Sequence, residues 1–135
     1  MKIDGKAMRT IWPGEDGRSV CIIDQTKLPH RLEIATLRTL DDVARAIRIM
    51  QVRGAPLIGA TAAYGLALAL RGDACDAALT RAGEHLIDQR PTAVNLRWAV
   101  EEMWRVLGPL PADTRAAVAW REAARIADED VEACR

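Results

Sequence analysis

The sequence predicts an α+β protein: a small N-terminal antiparallel three-stranded sheet within residues 1–36, then a helical bundle of about five helices over residues 37–135. Three observations predict it. Before residue 37, short strand-like runs are separated by turn-forming clusters, and in "HRLEIAT" apolar and polar residues alternate with a period of two. From Thr39 onward the apolar positions recur every three or four residues. Between the helical stretches lies "GAPLIGATAAYGLALAL", residues 54–70, without one charged side chain.

The strands come first. "MRTIW" and "SVCIID" flank "PGEDG", a Pro/Gly/Asp cluster suited to a hairpin turn. "HRLEIAT" follows the turn-like "KLP", and in it Leu32 and Ile34 alternate with Arg31 and Glu33, as in a sheet with one wet face. A meander is the simplest arrangement of the three.

In "TLDDVARAIRIM", Thr39 stands three residues before Asp42, close to a capping box, and Val43, Ile47 and Met50 share one face. The uncharged run follows, with Gly59, Ala63 and Ala67 four apart as a smooth ridge for close helix packing. In "DACDAALTRAGEHLIDQ", Asp73 is the expected cap, and Leu79, Leu86 and Ile87 fall near helical spacing. "TAVNLRWAVEEMWRVL" is expected to bury Val94, Trp98 and Val100 and to turn Glu101, Glu102 and Arg105 outward. The last segment places Asp113 after a proline and then repeats Ala117, Trp120, Ala124, Ala127, Val131 and Cys134. That pattern still runs at Arg135 without a stop signal, so the chain is expected to be truncated from a longer one.

Composition excludes several function classes. Nineteen basic residues balance nineteen acidic ones, so no global field draws the chain to nucleic acid or to a membrane, and any anion site is local. Cys21, Cys75 and Cys134 are scattered, odd in number and accompanied by no signal peptide, which points to reduced, idle or buried thiols in the cytoplasm. His30 and His85 lack ligand spacing, so no metal is expected. Residues 54–70 sit at the lower length limit for a bilayer span, and most are Gly, Ala, Pro, Thr or Tyr. A helix buried on all sides fits them better.

Two arginines precede two helix starts. In "VRGAPLIG", Pro56 suits the first helical turn and Gly54 permits close backbone approach, so Arg53 stands ahead of a helix N-terminus. In "QRPTAVNLRW", Pro91 drives Arg90 toward an extended conformation, and Thr92 is a good N-cap. Free N–H groups and the helix dipole favour an anion at such a place, and a guanidinium matches phosphate oxygens with a planar fork of donors. Two readings stay open on these residues: a phosphate cradle, or arginines that cap neighbouring helix ends or pair with surface acids.

"MQVRGAPLIGATAAYGLALA", "RPTAVNLRWA" and "IDQTKLP" resemble the N-terminal domain of the methylthioribose-1-phosphate isomerase family, which shares its fold with the alpha, beta and delta subunits of eukaryotic translation initiation factor 2B. The resemblance covers essentially the whole chain. Leu57, where the family often has alanine, and Lys27, where it often has leucine, depart from it without touching either arginine motif. Carried over, it implies that Arg53, Gly54 and Ala55 form a substrate-binding turn and that Arg90 is a second contact to a sugar phosphate.

The implied reaction interconverts 5-methylthioribose 1-phosphate and 5-methylthioribulose 1-phosphate in methionine salvage, without metal or redox cofactor. A phosphate on C1 blocks simple ring opening, so the protein must hold it and supply acid/base groups near C1 and C2. The family's catalytic cysteine and aspartate lie in a later Rossmann-like domain absent from this chain. Neither Cys75 nor Cys134 matches them, and residues 1–135 alone are expected to be inactive. A homodimer is expected of the full-length protein. A non-enzymatic scaffold subunit, or an isomerase of ribose 1,5-bisphosphate or 5-deoxyribose 1-phosphate, are the alternatives.

Overall fold

The computed structural model describes residues 2–3, 6–7, 11–14, 19–23, 34–49 and 55–133. Strands β3 (Ile11–Pro13), β4 (Val20–Ile23) and β5 (Ile34–Leu37) form the expected meander, antiparallel in the order β3-β4-β5. Ahead of it, β1 (Lys2–Ile3) and β2 (Lys6–Ala7) pair as a separate two-stranded sheet that was not expected. Strands of two residues are too short to carry a period.

The phase of β5 also differs from the expectation. Opposite Val20 and Ile22 lie Leu37 and Ala35, so these residues face the core and Ile34 is half exposed at 51%. Pairing with β4 decides the phase, because a shift of one residue exchanges the two faces of a strand. Leu32, with Arg31 and Glu33, lies outside the described residues.

Five helices follow: α1 (Leu40–Arg48), α2 (Ala55–Leu70), α3 (Asp76–Gln89), α4 (Val94–Leu107) and α5 (Ala112–Ala133). Helix α1 opens nearly as expected. The Asp42 N–H donates to Thr39 Oγ1 at 3.1 Å, and the Asp42 carboxylate accepts the Arg38 N–H at 3.0 Å, one residue earlier than in a standard capping box. Val43 and Ile47 are buried, while Met50 lies outside the described residues.

Helix α2 is the axis of the bundle and packs on each of the other four helices. Its residues 57–68 and Leu70 are buried, which is why no charge appears among them. Thr61 tolerates this by donating its hydroxyl to the Leu57 carbonyl at 2.7 Å. Among the described residues no helix is long and apolar enough to cross a membrane.

Three expectations about the later helices are corrected. The N-cap of α3 is Cys75, not Asp73: the Ala78 N–H donates to Cys75 Sγ at 3.4 Å, and Asp73 instead accepts the Cys75 N–H at 3.1 Å. The Cys75 thiol is exposed rather than buried. Helix α4 buries Leu96, Ala99, Val100, Met103 and Leu107, whereas Val94 and Trp98 are 78% and 49% exposed. Glu102 is half-buried rather than outward.

The phase of α4 follows from packing on both α2 and α3. Gly83 leaves room for the Trp104 indole, whose Nε1–H donates to the Leu79 carbonyl at 3.0 Å. In α5 the buried residues are Arg115, Ala119, Ala123, Ile126 and Ala127. Ala117 is exposed, and Trp120 and Ala124 are half-buried. The side chain of Val131 and all of Cys134 lie outside the described residues.

A buried arginine was not foreseen. Arg115 Nε donates to the Leu107 carbonyl at 3.0 Å, Nη1 to Ala74 at 2.8 Å, and Nη2 to Gly108 at 2.9 Å and to Asp76 Oδ1 at 2.6 Å. These bonds close the C-terminal carbonyls of α4 and tie them to the start of α3.

Candidate phosphate-binding site

Helices α2, α3 and α4 run alternately. Arg115 joins the C-terminal carbonyls of α4 to the start of α3, and the short connection 71–75 brings the end of α2 to that same start, so each successive pair is antiparallel. Helices α2 and α4 consequently start at the same end of the bundle. Their starts are close: a Cβ placed on Gly59, one turn into α2, would lie 3.0 Å from the main-chain oxygen of Asn95, the second residue of α4.

These two starts share an electrostatic character. Helices α1, α3 and α5 carry Asp41 and Asp42, Asp76, and Asp113 in their first turns, which offset the positive dipole end. Helices α2 and α4 have no acidic residue in the first turn. The α4 cap is Ala93, without a side-chain bond, so Thr92 does not cap as expected. Two helix N-termini without acidic first-turn residues thus lie side by side, an arrangement that favours an anion. Its sequence signal is the missing acids in two first turns, read together with the fold.

Arg90 is at this end of the bundle. It terminates α3 with φ −147° and ψ 77°, and its N–H donates to Ile87 O at 3.1 Å. Its own carbonyl accepts the Ala93 N–H at 2.9 Å, and that turn uses up residues 90–93 before α4 begins. Arg90 is therefore one tight turn ahead of the helix rather than immediately before it. Its side chain is half-buried, and among the described residues no carboxylate or carbonyl is hydrogen-bonded to it. Ala55 is the first residue of α2. Arg53 and Gly54, the other expected site residues, lie outside the described residues, and so does their relation to Arg90.

A second concavity is of a different kind. At the opposite end of α2, Leu40, Asp41, Ala69, Asp73, Ala78, Arg81, Ala82 and His85 line an open groove of 390 Å³. His85 Nε2 lies 3.5 Å from Asp41 Oδ1. The N–H of Cys75, and then its thiol, hold the Asp73 carboxyl below its ordinary 3.8. Two carboxylates beside one arginine suit a phosphate poorly. Among the described residues no group of His, Cys, Asp and Glu could hold a metal ion.

Comparison with known proteins adds the following. Residues 51–135 match the family described as "Initiation factor 2 subunit family". A methylthioribose-1-phosphate isomerase from Methylobacterium nodulans is 60% identical over 135 residues, all of this chain and 37% of its own length. The crystal structure of 5-methylthioribose 1-phosphate isomerase from Pyrococcus horikoshii superposes with a TM-score of 0.84 at 38% identity, over 94% of this chain and 38% of that one. Translation initiation factor eIF-2B, subunit delta, from A. fulgidus superposes with a TM-score of 0.82 at 37% identity, over 93% and 38%. The chain thus spans little more than a third of the length of these relatives.

Proposed function

This chain belongs to the initiation factor 2 subunit family, and on that premise we propose that it forms the substrate-phosphate-binding part of an aldose–ketose isomerase. The reaction is conversion of 5-methylthioribose 1-phosphate to 5-methylthioribulose 1-phosphate in methionine salvage. The observation that carries this reading is 60% identity, sustained over the whole chain, with a protein named for that activity. The 37% identity to an initiation-factor subunit supports the common fold equally well, but the scaffold reading less well.

In this reading the C1 phosphate docks at the paired starts of α2 and α4, where no acidic first-turn residue repels it. Arg53, Gly54 and Ala55 contact it from the turn into α2, and Arg90 contacts it from the turn into α4. Holding the phosphate fixes C1 and C2 against the acid and base, which converts a bimolecular encounter into a positioned one. The acid and base belong to the remainder of the longer enzyme.

The test uses a chimera in which these residues replace their counterparts in the full-length M. nodulans relative. The chimera is expected to isomerise 5-methylthioribose 1-phosphate. Charge-assisted contacts of about 1.5–3 kcal/mol each imply that Arg53→Ala or Arg90→Ala lowers kcat/KM by roughly ten- to a hundredfold. Arg90→Lys should recover part of this, because it keeps the charge and loses the fork. A chimera that folds but leaves this substrate unchanged, or arginine variants as active as the parent, would refute the proposal.

A further inference from the structure

Glycine in the second turn of a buried helix is a local disadvantage, since alanine favours the helix and adds apolar contact. At Gly59 the obstacle to alanine is main chain. The missing Cβ would meet the Asn95 carbonyl oxygen at 3.0 Å and the Ala99 Cβ at only 3.5 Å. A side chain in the way could change rotamer, but a carbonyl inside the first turn of α4 moves only if the helix moves. Because a helical Cβ leans toward the N-terminus of its own helix, the added methyl would press toward the end where both helices begin.

We infer that Gly59 is a positioning residue for the phosphate site: it sets the spacing between the starts of α2 and α4, and through them the placement of Ala55 and Arg90. This inference rests on the reading of the site given above. Alanine at this position requires the neighbouring helix to give by a few tenths of an ångström. Displacements of about 1 Å in a binding constellation can cost on the order of a hundredfold, so a fraction of that distance should cost roughly three- to tenfold. The phosphate sits on C1, one of the two carbons that take part in the proton transfer, so displacing it also shifts C1 and C2 from the acid and base, and the loss is read in kcat/KM.

The experiment compares two glycines of the same helix in the chimeric full-length enzyme. Gly59→Ala should lower kcat/KM by roughly three- to tenfold. Gly65→Ala crowds Val43 Cγ1 at 2.8 Å and Leu86 Cδ2 at 3.4 Å, away from the starts of α2 and α4, and should lower Tm without changing kcat/KM. If Gly59→Ala does not stay folded under the assay conditions, the comparison is made with sucrose present to favour the folded state, and the same loss in kcat/KM is expected. In an Arg90→Ala background Gly59→Ala should add little, because both act on one anion. An unchanged kcat/KM in the folded Gly59 variant, or an equal loss for Gly65→Ala, overturns the positioning role while leaving the phosphate reading intact. An unchanged kcat/KM for Arg90→Ala overturns the phosphate reading, and the positioning role with it.

Discussion

Replacing Arg115 by methionine keeps an unbranched apolar stem and removes the guanidinium with every donor. The carbonyls of Leu107, Ala74 and Gly108 then lose a charged partner, and Asp76 loses its ion pair. Hydrogen bonds to a charged group contribute about 1.5–3 kcal/mol each. They do not sum in full, because Gly108 is exposed and water can reach its oxygen. The Asp76 side chain is 91% exposed, so its share is only about 0–1 kcal/mol. The expected destabilisation is about 3–5 kcal/mol for Arg115→Met, and roughly half of that for Arg115→Lys, which can still reach one or two of the acceptors. Urea unfolding followed by far-UV circular dichroism measures it, with Asp76→Asn as the comparison. If Arg115→Met stays within about 1 kcal/mol of the parent, or Asp76→Asn costs as much, then the carbonyl clamp is not what holds α3, α4 and α5 together.

Two further outcomes are expected of this chain. Gly83→Ala places a Cβ 2.4 Å from Trp104 Cζ2 and 2.7 Å from its Nε1; the rigid indole must shift and release Leu79. The net cost should be about 1–3 kcal/mol despite the gain in helix propensity, read by thermal unfolding together with a change in tryptophan emission. Asp73 has a folded pKa below its ordinary value, so the folded state binds fewer protons there. Its stabilisation is present above about pH 4 and lost as pH falls through the depressed value. Tm profiles of the parent and Asp73→Ala should therefore converge at low pH and separate above it; parallel profiles would contradict this.

The parts of the fold legible in the sequence are those where one local signal has no competitor. An uncharged run can only be a buried element, and residues 57–68 are buried throughout. Thr39 before two aspartates can hardly be anything but a cap. The faces of α4 and α5 were not legible, because these helices offer apolar residues on more than one stripe. Alanines 116, 117, 119, 123, 124 and 127 fit several rotations of α5, and packing against α2 selects among them. Val94 and Trp98 match a 3–4 spacing as well as Leu96 and Val100 do, and packing against α2, together with the space left by Gly83 for Trp104, decides the phase. At the candidate site, the arginine–proline motif located Arg90. The parallel alignment of α2 with α4 and the tightness at Gly59 arise from pairings distant in sequence, which no local pattern encodes.

The enclosure of α2 by four other helices bears on how slowly its amide protons exchange with solvent. An element on the rim can open by fraying, but an axis of this kind is exposed only when its surroundings come apart, so its amides should exchange by global unfolding alone. The segment that begins at Ala55 is then mounted on the last part of the molecule to loosen. A ligand held at that end would meet a platform whose rigidity is inherited from the whole domain, not from the turn that touches it.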